Sequence, residues 1–275
     1  MNILFWNIMK IVGTFDNVVS IVEEEEVDII AIAEMPATDK PTIEVLLNKL
    51  NAKNPDVFKY LPTVTEKEKA VVYYRKGVKI KNDFSDFKLF GKQLEINGIN
   101  FGLVFCHLPA AMNGGIGVKE MNADKFRKSV EKFENEHQKH QRTIVCGDFN
   151  MNPFESGMVD IRYFNAVMDK KVANKKTRKL LDTDYNYFYN PMWGCLGDNG
   201  KGGFPGTYYY NSSEPYQTYW NILDQVIIRP DVIPYFDDSK LKIITKGTTY
   251  NLLTVQGHPN KKISDHLPII FTITV

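Results

Sequence analysis

Residues 144–155 read Ile-Val-Cys-Gly-Asp-Phe-Asn-Met-Asn-Pro-Phe-Glu and join an apolar run to a cluster of polar side chains. The first three residues are typical of a strand in a sheet core, and Gly147 permits a close backbone approach. In an extended backbone Asp148 and Asn150 project to the same side, and Pro153 ends the strand. A carboxylate beside a carboxamide suits an oxygen-ligated metal ion or a water positioned for attack. The alternative is an ordinary Asx-rich turn.

The composition is that of a folded globular protein. The chain has 275 residues, of which 43% are hydrophobic and 24% are charged, so we expect one domain with a substantial core. The formal charge is +1, which excludes a strong overall field that would attract polyanions indiscriminately. This charge neither supports nor excludes a nucleic-acid substrate.

The cysteines and the apolar runs indicate a cytoplasmic protein. There are three cysteines, an odd number, and Cys106 and Cys146 lie inside apolar strand patterns, which favours a reducing compartment. The N-terminal residues enter a strand pattern without a signal-type segment. No apolar run approaches the roughly 20 residues of a membrane span.

Apolar runs that predict strands alternate with helical patterns, which predicts an α/β fold. The strand predictions include residues 3–6, 27–33, 70–74, 101–106, 222–228 and 267–274, and the helix predictions 16–26, 41–50, 118–141 and 156–167. For the long helix at 118–141, the expected apolar face is formed by Met121, Phe126, Val130 and Phe133. The basic segment 169–179 is predicted to be a solvated loop, with a substrate-facing rim as the alternative.

Polar residues follow the apolar strands at many points along the chain. Any one of them is a weak signal, since a lone histidine after a strand is usually structural. Together they predict that several strand ends converge on one cavity. The set is Asn7, Glu34, His107, Asp148, Asn150, Asp224, Asp265 and His266.

The order of these motifs resembles the endonuclease/exonuclease/phosphatase superfamily. The matching segments are Trp6-Asn7, Ile32-Ala33-Glu34, His107-Leu108-Pro109-Ala110, Gly147-Asp148-Phe149-Asn150, Leu223-Asp224-Gln225-Val226 and Ser264-Asp265-His266-Leu267-Pro268. The resemblance implies a four-layer α/β sandwich, in which two mixed β-sheets pack face to face with helices outside. It also implies that Mg²⁺, with Mn²⁺ as the alternative ion, supports hydrolysis of a phosphoester by in-line attack of water.

The resemblance also implies a role for each matching residue. Glu34 is similar to the family's main metal ligand, and Asn7 and Asp265 are expected to support the metal site. The expected catalytic residues are Asp148, which orients or deprotonates the water, Asn150 beside it, His266 at the scissile phosphate, Asp224 behind that histidine, and His107 at a phosphate oxygen. In the deoxyribonuclease I branch a glutamate pairs with the equivalent of His107, and Glu68 is the candidate here.

The sequence alone leaves three functions possible. The leading hypothesis is a nuclease acting on DNA or RNA, and the second is a phosphatase or phosphodiesterase of small phosphorylated molecules or lipid headgroups. The third is a binding module that has the fold without the chemistry. A nuclease needs basic and stacking side chains around the site, for which the candidates are Arg75, Lys76, Lys92, Lys119, Arg162, Arg178, Lys201, Trp193 and Trp220.

Overall fold

The computed structural model describes residues 1–63, 70–86, 89–110, 115–200, 204–213 and 217–275. Glu68 and Lys201 lie outside these ranges, so the proposed pairing of Glu68 with His107 stays a prediction. The described α-helices are α1 (Phe15–Glu24), α2 (Lys40–Leu50), α3 (Gly115–Lys132), α4 (Ser156–Val159) and α5 (Lys170–Ala173).

The strands of the described ranges are short to medium in length and are numbered in chain order. They are β1 (Asn2–Asn7), β2 (Ile29–Ala33), β3 (Phe58–Leu61), β4 (Ala70–Arg75), β5 (Lys79–Asp86), β6 (Leu89–Ile96), β7 (Ile99–His107), β8 (Thr143–Asp148), β9 (Ala166–Val167), β10 (Thr177–Leu180), β11 (Thr183–Asn186), β12 (Phe188–Tyr189), β13 (Tyr208–Tyr209), β14 (Trp220–Asn221), β15 (Asp224–Ile228), β16 (Lys242–Ile243) and β17 (Ile269–Thr272).

Most strands belong to two mixed sheets. The first has the order β16-β17-β1-β2-β4-β3 and the second β5-β6-β7-β8-β15-β12-β9. Each contains a parallel pair near its centre, β1 with β2 and β7 with β8, and antiparallel neighbours on both sides. The strands β10–β11 and β13–β14 form separate two-stranded ribbons.

The core lies between the two sheets. Phe5 and Ile32 of the first sheet belong to the same buried cluster as Leu103 and Cys146 of the second. A second buried cluster packs α3 against the outer face of the seven-stranded sheet. These layers confirm the predicted four-layer α/β sandwich.

The long helix departs from its predicted apolar face at one residue. Ala123, Phe126 and Val130 are buried, but Met121 is 51% exposed. Met121 is two residues from Ala123, which places it about 200° around the helix axis. The α-helix ends at Lys132, and a π-helical turn, Phe133–Gln138, follows it directly.

Two further predictions of local structure were wrong. The helix predicted over residues 156–167 is only the four-residue α4, because Asp160 is extended and the Phe164 amide turns back to the Gly157 carbonyl. Residues 169–179 form α5 and β10 rather than a loop. The four residues of β10 are exposed, as expected for solvated side chains.

The strand register places the predicted site residues at one rim. Asn7 ends β1, Glu34 follows the parallel β2, and His107 pairs with Asp148 at the ends of β7 and β8. Asp224 was predicted inside its strand, but it is the first residue of β15 and lies opposite Asp148. Both sheets therefore contribute polar side chains to the same edge.

The remaining observations concern cysteines and membrane spans. Cys106, Cys146 and Cys195 are buried, and none of the three forms a disulfide bond. Among the helices of the described ranges, none combines the length and apolarity needed to cross a membrane.

Candidate active site

Asn7 connects the carboxylates of the two sheets. Its Nδ2 donates to Glu34 Oε1 at 3.3 Å and to Asp148 Oδ2 at 3.2 Å. Its Oδ1 accepts a hydrogen bond from the Met9 backbone amide, which orients the carboxamide. The side chain of Asn7 therefore holds two acidic groups next to each other across the gap between the sheets.

The backbone around Glu34 is strained. Met9, Lys10 and Glu34 have positive φ angles of 48°, 58° and 48°, and the Lys10 amide donates to the Glu34 carbonyl at 2.8 Å. Non-glycine residues in this region cost on the order of 1 kcal/mol or more each, and such strain concentrates at functional sites. The geometry turns the Glu34 side chain to the rim at the end of β2.

The carboxylate of Asp148 lies between two imidazoles. His107 Nε2 is 3.6 Å from Glu34 Oε1 and 3.7 Å from Asp148 Oδ2. On the other side, His266 Nε2 is 4.0 Å from Asp148 Oδ2, while His266 Nδ1 and Asp224 Oδ2 are 2.8 Å apart. The hydrogen bond to Asp224 fixes the orientation of the His266 ring.

Burial and neighbouring charges shift the pKa values of the central pair. Burial and the charge of Asp224 raise the pKa of Asp148, the charge of His266 opposes them, and the resulting pKa is about 7. Burial alone lowers the pKa of His266, but the carboxylates of Asp224, Asp148 and Asp265 outweigh it and raise this pKa to about 10. At neutral pH the His266 imidazole is therefore protonated and Asp148 lies near its midpoint.

Asp265 and Asn150 occupy different surroundings. Burial raises the pKa of Asp265, and the charge of Glu34 acts in the same direction. Asn150 was expected to project alongside Asp148 from an extended strand, but β8 ends at Asp148 and Asn150 has φ of 51°. The backbone amide of Asn150 donates to Asp148 Oδ1, and the side-chain Nδ2 of Asn150 donates to the Leu108 carbonyl, both at 2.8 Å.

Several supporting residues were missed by the sequence analysis. Ser264 Oγ donates to the Asn7 carbonyl and accepts from the His266 amide. Thr207 Oγ1 accepts from the Asp224 amide at 3.2 Å, and the Tyr208 ring lies 4.9 Å from the His266 ring. Ser264 stands inside a recognised motif, whereas Thr207 and Tyr208 belong to an aromatic-rich stretch whose pairing the sequence does not specify.

Two donor sets suit a metal ion. Asp148, Asp224 and His266 each offer a ligand atom, and these atoms lie within 4.8 Å of one another. The second set is the predicted one, formed by Glu34, Asn7 and Asp265. Glu34 and Asp265 offer carboxylate oxygens, whereas Asn7 turns its Nδ2 to Glu34 and its Oδ1 to the Met9 amide. Oxygen donors are the ligands of hard divalent cations, so the second set fits a Mg²⁺-type ion.

Among the basic side chains predicted around the site, two lie elsewhere and two are held in ion pairs. Lys92 is 1% exposed and lies inside β6. Arg75 ends β4 on the opposite rim, because Ala70 at the start of that strand pairs with Ala33. Lys119 forms an ion pair with Glu155 at 2.8 Å, and Arg162 forms one with Asp160.

We expect Asp224→Asn to lower the pKa of His266 from about 10 toward its ordinary value of about 6.5. Asp224 is the nearest negative charge to the imidazole, and the neutral amide cannot replace it. An NMR titration of the His266 ring in metal-free protein measures the shift, with Asp182→Asn at an exposed position as the control. A His266 pKa that stays near 10 in Asp224→Asn contradicts the pairing.

Comparison with known proteins identifies the family. The sequence profile of the Endonuclease/Exonuclease/phosphatase family matches residues 4–266, so the chain belongs to this family. Its members are metal-dependent phosphoesterases, which makes this protein an enzyme of that class. A search of curated proteins finds no significant match.

Solved structures share the fold at low sequence identity. A family protein from Bacteroides thetaiotaomicron is 12% identical with a TM-score of 0.59, over 98% of this chain and 96% of that one. TDP2 from D. rerio, complexed with a single-strand DNA product, is 15% identical with a TM-score of 0.58, over 100% and 99%. The human Nocturnin catalytic domain with bound sulfate is 14% identical with a TM-score of 0.56, over 98% and 93%.

Proposed function

We propose that this protein is a Mg²⁺-dependent phosphodiesterase that cleaves DNA or RNA by attack of water on phosphorus. The observation that carries the proposal is the position of Asp148, a buried carboxylate between His266 and His107 at the rim shared by both sheets. This arrangement offers a base and two imidazoles to the same small volume. The relative from D. rerio with a single-strand DNA product supports a nucleic-acid substrate.

Each residue has a chemical role in this proposal. Asp148 accepts a proton from the attacking water, for which a pKa of about 7 is well matched to neutral pH. Protonated His266 donates through Nε2 to the phosphate as negative charge develops there, while Asp224 holds its Nδ1. His107 supplies a second donor near Glu34.

We assign the metal ion to the Glu34 and Asp265 carboxylates, with Asn7 supporting the site through its hydrogen bond to Glu34, rather than to the buried Asp148, Asp224 and His266 cluster. The His266 Nδ1 is already bonded to Asp224 at 2.8 Å, and all three side chains of that cluster are buried. The Glu34 side chain is partly exposed, so an ion can reach it. When bound, Mg²⁺ supplies stabilisation of negative charge on the phosphate oxygens.

Two open clefts beside the site favour a polymeric substrate. The tyrosine cleft, about 610 Å³, contains Phe154, Tyr210 and Tyr219. The lysine cleft, about 540 Å³, contains Lys261, Lys262 and Asp265. Tyr210 borders both clefts, so the ribbon β13–β14 separates them. A substrate that extends on both sides of the scissile bond can use both clefts.

Small phosphoesters are the second candidate substrate, since each cleft alone has the volume of a small-molecule site. In the tyrosine cleft the lysine among the described lining residues, Lys119, is paired with Glu155, which also favours a substrate with few phosphates. The binding-module hypothesis is set aside because the chain belongs to a family of phosphoesterases and the predicted catalytic groups of the described ranges lie together.

Hydrolysis assays distinguish the two enzyme functions. Purified protein with Mg²⁺ is incubated with single-stranded DNA, double-stranded DNA, RNA and a panel of small phosphoesters. The nuclease proposal is supported if a polymer is cleaved at a lower substrate concentration than any small ester requires for hydrolysis. Turnover of small esters without cleavage of polymers contradicts it and supports the second candidate.

We expect Glu34→Gln to lower Mg²⁺-supported activity on the order of 100-fold or more, because a neutral amide replaces the main carboxylate ligand. The same substitution weakens Mg²⁺ binding in calorimetry. Glu23→Gln is the matched control, since Glu23 lies on α1 and pairs with Lys53. Equal Mg²⁺ affinity in Glu34→Gln and Glu23→Gln contradicts the metal assignment.

A further inference from the structure

Aromatic rings lead from the candidate active site to the surface. The Tyr208 ring lies 4.9 Å from His266 and stacks on Tyr210 with centroids 6.4 Å apart and planes 19° apart. Tyr210 is 53% exposed, and its amide donates to the Tyr219 carbonyl, which extends the ribbon β13–β14. The outermost ring of this series therefore presents an accessible face.

The tyrosine cleft brings three exposed rings together. Tyr210, Tyr219 and Phe154 are 53%, 50% and 37% exposed, and all three line the same cleft. Large apolar side chains clustered at the surface indicate a binding site rather than a packing requirement. Aromatic faces of this kind bind planar groups by stacking.

Polar groups of the cleft are largely engaged within the protein. Asn152 Nδ2 donates to Asn221 Oδ1 at 2.8 Å, and Gln217 Nε2 donates to the Ser212 carbonyl. Lys119, the lysine among the described residues of the lining, is neutralised by Glu155. The described lining of the cleft therefore offers mainly aromatic stacking surfaces, with little net positive charge and few amides that are free to hydrogen-bond to base edges.

We propose that the tyrosine cleft is a stacking site for an unpaired base next to the scissile phosphate, so that single-stranded nucleic acid is the preferred substrate. This inference rests on the proposed nuclease function. Bases in a duplex have both faces covered by their neighbours, whereas unpaired bases can stack on protein rings. Because every base has such a face, recognition here is tolerant of sequence.

Binding measurements test the proposal. The probes are a fluorescein-labelled single-stranded 12-mer and the same strand annealed to its complement, with Asp148→Asn as the background that prevents cleavage. We expect Tyr210→Ala to raise the Kd for the single strand about 5- to 150-fold, which corresponds to the roughly 1–3 kcal/mol of one stacked base. Tyr210→Phe keeps the ring and stays within about twofold.

Leu181→Ala removes an 88% exposed side chain in the loop of the β10–β11 ribbon and leaves the Kd unchanged. Equal affinity for single strand and duplex, or an unchanged Kd in Tyr210→Ala, overturns the stacking site even when wild-type enzyme cleaves nucleic acid. Hydrolysis of small phosphoesters without any cleavage of nucleic acid overturns the nuclease proposal and the stacking site together.

Discussion

We expect Asp148→Asn to lower kcat/KM for phosphoester hydrolysis by about 10²- to 10⁴-fold, the usual contribution of a general base. Asparagine has nearly the same size as aspartate, but its amide cannot accept a proton from water. Asp148 accepts hydrogen bonds from Asn7 Nδ2 and from the Asn150 backbone amide. The single side-chain oxygen of asparagine at position 148 can accept from only one of these two donors. Steady-state kinetics with saturating Mg²⁺ measure the loss.

The same substitution leaves the fold intact. Burial raises the pKa of Asp148 to about 7 from an ordinary value of 3.8, so the ionised carboxylate destabilises the folded protein increasingly as the pH rises through this interval. A neutral amide avoids this cost at pH 8, and the melting temperature is expected to change by only a few degrees. Asp124→Asn, at a partly exposed carboxylate on α3, is the control. Activity of Asp148→Asn within tenfold of wild type would falsify the assignment of Asp148 as the base.

The strand ends of the site could be predicted because each polar residue directly follows an apolar run. Asn7, Glu34, His107 and Asp148 are all found at the rim where their strands end. The positions of strand ends depend on local sequence, and parallel strands bring these ends to the same edge. The polar residues themselves predicted that these strand ends converge on one cavity, whereas the division of the strands between two sheets followed only from the resemblance to a known family.

The parts that could not be predicted depend on contacts between distant segments. Tyr208 contacts His266 and Thr207 holds the Asp224 amide, although neither pairing has a local signal. Lys92 was a candidate for the rim, yet its strand is covered and the side chain is buried. The alternation of polar and apolar residues along a strand does not show whether its polar face contacts solvent or is covered by other parts of the protein.

The tyrosine cleft has exposed rings and no unpaired lysine among its described lining residues, and these two features have a common consequence. A nuclease that relies on phosphate contacts loses affinity steeply with salt. In the tyrosine cleft the described lysine is paired with Glu155, so under the proposed function we expect stacking to supply affinity that charge does not. The near-neutral formal charge of +1 is compatible with a nuclease of this kind.

The largest expected effect on stability concerns Arg229, which is fully buried. Its Nε and Nη2 donate to the two carboxylate oxygens of Glu134 at 2.8 and 3.0 Å, and its Nη1 donates to the Tyr187 carbonyl. The guanidinium also lies 3.8 Å from the centre of the Phe188 ring. This bidentate pair joins the π-helical turn after α3 to the end of β15.

We expect Arg229→Met to destabilise the fold by about 3–5 kcal/mol, because it leaves the Glu134 carboxylate buried without its partner. For a protein of this size the melting temperature falls by roughly 5–15 °C, measured by calorimetry. Lys53→Met is the matched control, since it breaks an exposed ion pair of 2.7 Å with Glu23 that is worth at most about 1 kcal/mol.

A double variant shows whether this loss of stability comes from the unpaired carboxylate or from the other contacts of the guanidinium. Arg229→Met combined with Glu134→Leu removes both charges, so the buried carboxylate no longer contributes a desolvation cost and most of the stability returns. If the single variant were no less stable than Lys53→Met, the pair would not stabilise the fold. If the double variant were as unstable as the single one, the loss would come from the contacts of the guanidinium with Tyr187 and Phe188 and not from the unpaired charge.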